Sequence, residues 1–430
     1  MGKHNIIQPV KGTRDFYPEQ MAIRTWLYNA VRKVSESFGY QEYEGPYLEY
    51  IDLYAAKSGE ELVKEQSFVF PDRGGKLIAL RPELTPTLAR MVAQRQGQLT
   101  FPIRWWSYGP FWRYERPQKG RTREFFQWNL DLIGLASPIT DAEIVSVITS
   151  FFRLIGLSSQ EIIINVNNRR LMDVQLGKIG IKKNKKEVFR LIDRKEKLKQ
   201  DAWLEYGIEL GLTTDQINSL TNLLENKELW HQSEELEQFF DLIDVMGISD
   251  YVHYDPKIIR GLDYYTGTVY EAKSKDPSIK RAILGGGRYD NLLADVGGNP
   301  LPGAGFAMGD VVITLLLNQL QKLTKDLRVN PAPVFVTVFD DKHMAQSFRI
   351  ADDLRKSGLN VNIYPQAIKL GKQIKYANRI GAKIVLIIGP DEIKDNTVTI
   401  KILNTGEQQT IGYKSVINYL IKMLEPDKSS

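Results

Sequence analysis

Pro331-Ala332-Pro333 separates two stretches of chain whose hydrophobic patterns follow different rules, and this change limits the fold to two bodies of different class. Upstream, short β-like runs at Ser67–Phe70, Leu77–Leu80, Arg104–Tyr108, Phe111–Tyr114 and Phe125–Ile133 are separated by loops and by an expected helix over Thr85–Arg95. That is an antiparallel pattern. Downstream, strands expected at Val334–Phe339, Asn360–Tyr364 and Lys383–Ile388 alternate with helices at His343–Ser357 and Leu370–Ile380. Two further strands and a helix at Lys414–Leu424 follow, which predicts a small α/β domain with a mainly parallel sheet.

The remaining elements fill in the first body. Apolar residues at helical spacing run from Pro18 to Ser37, and Gly39 stops them. Tyr40–Tyr47 reads as a strand carrying Pro46, which implies a sheet edge or an interface. A helix over Asp141–Gly156 and a strand over Ile162–Val166 precede a change in composition. Met172–Met246 is rich in Lys, Glu and Leu and helical in period, an inserted helical module. Strand character returns at Val269–Ala272 and Arg281–Leu284, and a last helix is expected over Met308–Lys325. The expected fold is α+β: a domain over 1–330 with the insertion at about 172–250, then an α/β domain over 331–430.

Several function classes fall away. The 430 residues are 43% hydrophobic, and 57 basic against 52 acidic side chains leave a formal charge of only +5, so the chain is an ordinary folded protein. With no cysteine there are no disulfides, thiolate nucleophiles or iron–sulfur clusters. The four histidines form no i, i+4 pair, so neither zinc nor another structural metal is expected. No run reaches the roughly 18 apolar residues of a membrane span, and a cytoplasmic protein without a membrane partner is expected.

The densest chemistry lies between Arg104 and Gln127. Arg104, Arg113, Arg116, Lys119, Arg121 and Arg123 interleave with Trp105, Trp106, Tyr108, Phe111, Trp112 and Tyr114. Arginine forks match phosphate oxygens and aromatic faces stack on bases, so such a hairpin suits a nucleotide or nucleic acid. An ordinary charged sheet face would share the composition, but the cationic Gln118-Lys119-Gly120-Arg121 tip has no packing reason. Arg260-Gly261-Leu262-Asp263-Tyr264-Tyr265-Thr266-Gly267 is either a site or a hydrogen-bonded core network. Gly285-Gly286-Gly287-Arg288-Tyr289, through its three glycines, admits a close ligand or a strand-end turn. Arg81-Pro82-Glu83-Leu84-Thr85 also reads as a plain helix start.

Together these segments resemble the histidyl-tRNA synthetase family of class II aminoacyl-tRNA synthetases over nearly the whole chain. Lys11-Gly12-Thr13-Arg14-Asp15 resembles its amino-terminal signature, and Gly39 to Glu49 resembles motif 1. Phe111 to Gln127 resembles motif 2, Arg260 to Gly267 the histidine-specific motif, and Leu370 to Lys383 the anticodon-binding domain. The resemblance implies an antiparallel-sheet catalytic domain and an anticodon-binding α/β domain. It also implies activation of L-histidine with ATP and Mg²⁺, transfer to tRNA(His), a homodimer, and no prosthetic group.

It further implies roles for residues. Arg113 and Arg260 would act on the α-phosphate, with Arg260 also reaching the histidine carboxylate. Glu83, with Thr85 beside it, would take the α-ammonium, while Gln127, Asp131, Tyr264 and Tyr265 select the imidazole. Glu115, Arg121 and Arg123 would serve ATP, and Gln118, Lys119, Arg121 and Arg123 would form the loop that meets the tRNA acceptor end. The chain departs from the pattern twice. Asp131 stands where glutamate is usual, and Gly309 is followed by Asp310-Val311-Val312 where motif 3 normally carries an arginine for the triphosphate. The second departure keeps open a catalytically inactive paralogue such as the regulatory subunit of ATP phosphoribosyltransferase. The intact histidine motif and the second domain speak against it.

Overall fold

The computed structural model describes residues 6–55, 66–262, 264–323, 327 and 329–424. By their internal contacts they form two compact units, one holding residues up to 17 and from 23 to 323, the other 18–22 and those from 327 onward.

The first unit is built on an eight-stranded sheet. Its strands are β1 (Gln41–Glu42), β5 (Ile103–Trp112), β6 (Glu124–Ile133), β11 (Gly303–Gly309), β10 (Leu284–Tyr289), β9 (Thr268–Ser274), β7 (Ile162–Asn168) and β8 (Val252–Tyr254), in that spatial order. The six inner strands pair antiparallel, and only the edge pairs β1·β5 and β7·β8 are parallel. A separate three-stranded sheet joins β2 (Leu48–Tyr50), β4 (Leu77–Leu80) and β3 (Phe68–Pro71).

Strand alternation decides what this sheet can do. Along β6, Trp128, Leu130 and Leu132 belong to the main hydrophobic cluster, with helix Pro138–Leu154 packed in the same cluster. Gln127, Asn129 and Asp131 therefore point to the other face, although they too are buried. Polar groups on that face need partners or a ligand. Beneath β10, Arg288 donates to the Asp141 carboxylate at 2.8 Å, a buried pair joining helix and sheet. The helical stretch comprises Arg169–Lys178, Lys185–Asp193, Gln200–Glu209, Thr214–Glu225 and Glu234–Val245, whose apolar faces join the same cluster.

The structure corrects four expectations of local pattern. The run Tyr40–Tyr47 is a strand only at Gln41–Glu42, and Pro46 lies in the connection to β2. β5 runs unbroken through Pro110; β1 covers it only at Trp105 and Trp106, so the strand has edge character beyond, where proline is tolerated. The three glycines lie inside β10 rather than at a strand-end turn, paired on both sides. Met308 lies inside β11, which ends at Gly309, and the helix expected from it runs over Asp310–Gln319, its supposed end at Lys325 lying outside the described residues.

The second unit carries a five-stranded sheet ordered β13 (Val361–Ile363), β12 (Val334–Val336), β14 (Ile384–Ile387), β15 (Thr397–Ile402) and β16 (Gln408–Gly412). The first three strands are parallel, but β14, β15 and β16 pair antiparallel, so the sheet is mixed rather than mainly parallel. Val334 and Val336 face one apolar cluster and Phe335 the other, the period of a strand buried on both sides.

Candidate active site

On the polar face of the eight-stranded sheet lies a cavity of about 1000 Å³. Stretches far apart in sequence supply its walls: the turn before helix Thr85–Arg95, the hairpin β5–β6, the loop ahead of β9 with Glu271 of that strand, strands β10 and β11, and a rim from the helical stretch.

The first turn is held by Arg81, which is fully buried, donates from Nε to the Pro110 carbonyl at 2.9 Å, and lies over the rings of Tyr47 and Phe111. Its guanidinium fixes the turn that presents Glu83. Tyr264 donates its hydroxyl to Glu83 Oε2 at 3.1 Å, and Thr85 lines the cavity beside them. Arg113 follows β5 and donates from Nε to the Pro82 carbonyl at 2.9 Å, which aims the fork inward; burial lowers its pKa. At the far end Tyr289 donates to Asp131 Oδ1 at 2.6 Å, and burial pushes the Asp131 carboxyl up to about 7.

Arg260 has φ +62°, a left-handed conformation uncommon outside glycine and one that clusters at functional sites. Burial works against its charge, but Glu271, with which it forms an ion pair, and Tyr265 more than compensate, and its pKa is raised. Gly285 makes room for it: a Cβ there would meet the Arg260 guanidinium at 2.1 Å. The loop carrying Tyr264 and Tyr265 is pinned by Arg169, which donates to the carbonyls of Leu262 and Tyr265 at 3.1 and 2.8 Å. Asp263 lies outside the described residues.

Glu83, Thr85, Arg113, Glu115, Arg121, Gln127, Asp131, Arg260, Tyr264 and Tyr265 thus share one cavity. Three others do not line it. Gln118 and Lys119 are exposed at the tip of the β5–β6 loop, where Gly120 takes φ +78°. Arg123 donates to the Glu115 carbonyl at 3.1 Å and lies over the Tyr114 ring. Arg121 forms an ion pair with Glu115. Among the described residues, the buried Glu115 Oε1, Gln127 Oε1 and Asn129 Nδ2 have no hydrogen-bond partner, which leaves both acceptors and a donor for a ligand.

Sequence reasoning missed Asn129 and Glu271, and a rim of Arg190, Asp193 and Arg194 from the helical stretch; Tyr289 was singled out only as the end of the glycine segment, without its partner Asp131. Asn129 was recoverable, since it shares the period of Gln127 and Asp131. The rim was not, because a charged helix face facing a cavity reads like one facing water.

The arrangement offers two arginine forks, one carboxylate beside a tyrosine hydroxyl, and a deep polar end of amides, tyrosines and a carboxyl whose pKa burial raises. Such a set receives a zwitterionic amino acid with a polar side chain and stabilises charge growing on a phosphate.

Comparison with known proteins agrees with this chemistry. The family profile described as histidyl-tRNA synthetase matches residues 12–310, and that described as an anticodon binding domain matches 333–423. Histidine–tRNA ligase of Leptospira biflexa is 36% identical, covering 95% of each chain. The chloroplastic/mitochondrial histidine–tRNA ligase of Arabidopsis thaliana is 37% identical over 94% of this chain and 84% of its own. The crystal structure of histidyl-tRNA synthetase from Nostoc sp. PCC 7120 superposes with a TM-score of 0.80 at 25% identity, covering 98% of this chain and 100% of that one. This chain belongs to the histidyl-tRNA synthetase family of class II aminoacyl-tRNA synthetases.

Proposed function

We propose that the cavity joins L-histidine to ATP as histidyl-adenylate and then passes the histidyl group to the terminal adenosine of tRNA(His). The convergence of Glu83, Asp131, Tyr264 and Tyr265 with Arg113 and Arg260 in one cavity carries this reading. In the first step a carboxylate oxygen of histidine attacks the α-phosphorus and pyrophosphate leaves. The nucleophile is already ionised, so no general base is required. The barrier is charge on the α-phosphate, which Arg113 stabilises while Arg260 reaches both that phosphate and the attacking carboxylate. In the second step a ribose hydroxyl of the tRNA attacks the acyl carbon and AMP leaves.

Glu83, with Thr85, takes the α-ammonium. Gln127, Asp131, Tyr264 and Tyr265 hold the imidazole, since a site built of polar partners rejects apolar side chains strongly. The orphaned Glu115 oxygen suits the adenine amino group. Arg121 and Arg123 serve the nucleotide, and with Gln118 and Lys119 they meet the acceptor end. Mg²⁺ enters with ATP as part of the substrate. Magnesium is commonly held through substrate phosphates with one or two carboxylates, and among the described residues no group of three metal-ligating side chains exists.

Residues 1–330 form the catalytic domain with its insertion at about 172–250, and 331–430 read the anticodon arm. A homodimer is supported by the small sheet, one face of which leaves Leu48, Tyr50 and Phe70 exposed. A cytoplasmic setting fits, and no helix among the described residues is long and apolar enough to cross a membrane. The test is charging of tRNA(His) by the purified protein: ATP-dependent histidylation is expected, and its absence with histidine, ATP and Mg²⁺ all present would overturn the reading.

A further inference from the structure

The first turn of helix Asp310–Gln319 offers no cation to a nucleotide. Asp310 accepts from Phe126 N at 2.9 Å and pairs with Arg14 at 2.9 Å, and the next two residues are valines. Val311 and Val312 nevertheless line a recess of about 200 Å³ that shares Arg113, Arg121 and Arg260 with the main cavity and so continues it. A triphosphate whose α-phosphate meets Arg113 has its β- and γ-charges still to place, and the two valines supply no donor for them.

One arginine in that wall comes from elsewhere. Arg281, in the connection between β9 and β10, lines the recess together with the valines. Its stem lies at the tip of the β5–β6 loop: a Cβ on Gly120 would stand 3.4 Å from Arg281 Cδ and 3.9 Å from Val312 Cγ2. Arg281 and Val312 therefore border the same small space from two elements. Arg121 is answered by Glu115 and Arg260 by Glu271. Arg281 has no ion-pair partner among the described residues; burial alone acts on it, lowering its pKa. A half-buried guanidinium without a counter-charge is poised for an anion.

We propose that Arg281 binds the β- and γ-phosphates of ATP, supplying from the β9–β10 connection the charge that the helix at Asp310 does not carry. The proposal rests on the reading of the cavity as an ATP site. A bidentate fork on the phosphate tail strengthens binding of ATP but makes no contact with histidine or with the adenylate left after pyrophosphate departs.

The experiment is histidine-dependent ATP–pyrophosphate exchange with full-length wild type, Arg281→Ala and Arg281→Gln, the last keeping most of the stem. Inhibition by a sulfamoyl analogue of histidyl-adenylate, which lacks the β- and γ-phosphates, is measured in parallel. Both variants are expected to raise KM for ATP about tenfold or more, with KM for histidine and inhibition by the analogue within about twofold of wild type. An unchanged KM for ATP overturns the proposal, and so does an equal weakening of ATP and analogue. A wild type without exchange removes the parent reading instead, which keeps the two failures apart.

Discussion

At the scale of single residues, Asp131 shows how burial sets chemistry. Its carboxyl is pushed up to about 7 because it is buried, the Tyr289 hydroxyl only partly offsetting this. Between its ordinary value and about 7 the folded protein holds a proton the unfolded chain has lost, so ionising Asp131 costs stability as pH rises through that window. With Asp131 placed against the imidazole as proposed, the site gains what the fold loses, because only the ionised form accepts an imidazole N–H without offering a competing donor. KM for histidine is expected to fall as pH rises from about 6 to about 8, partly because the substrate's own imidazole loses its proton near 6.5. Asp131→Asn removes the enzyme's share, and a steady-state profile should flatten accordingly; an identical profile in the variant contradicts the assignment. Gln127 was named in the sequence as the end of motif 2, and Asp131, four residues beyond it, through the family resemblance. Tyr289 was named there only as the end of the glycine segment; its bond to Asp131 was not legible, because it depends on β10 lying two strands from β6 and no local pattern encodes that distance.

Among the elements, β10 was the hardest to read and matters most. A glycine triplet signals a turn as readily as a floor, and only pairing on both sides distinguishes them. Here the missing side chain at Gly285 is what lets the Arg260 guanidinium lie against the strand, since the three nearest atoms to a Cβ there all belong to that guanidinium. Gly285→Ala should thus displace a flexible side-chain end rather than backbone. Thermal unfolding is expected to change by no more than about 1 kcal/mol, while exchange falls on the order of 10²-fold. Unaltered exchange in a folded Gly285→Ala protein would separate β10 from the chemistry. Long periodic helices such as Pro18–Ser37 and Thr85–Arg95 were legible to the residue, whereas the start of the helix at Asp310 was not. Met308 is as apolar as a helix position requires, yet pairs with Leu284 and Trp128 in the sheet.

At the scale of the whole molecule, the work divides between two units. Helix Leu370–Arg379 begins beside Lys369, and Lys369, Lys372 and Lys375 are all exposed on the second unit. Replacing all three with alanine in the full chain is expected to raise KM for tRNA while leaving pyrophosphate exchange unchanged. The slope of log affinity against log salt should flatten by about 0.7 to 0.9 for each phosphate that the variant no longer neutralises. Tight, equally salt-sensitive tRNA binding by that variant would place the tRNA-binding cations elsewhere. The alternation of strand and helix that announced this unit is a local signal and was legible; the antiparallel pairing of β14, β15 and β16 is set by which edge each strand joins, and was not. Arg260 and its neighbours are proposed to carry out adenylate formation rather than merely to bind histidine. Histidine-dependent ATP–pyrophosphate exchange, with wild type beside Arg260→Ala, tests it most directly. Exchange that requires histidine and falls on the order of 10²-fold or more in a folded variant is the predicted result. A wild type that binds histidine yet exchanges no pyrophosphate, or an Arg260→Ala protein as active as wild type, would contradict it.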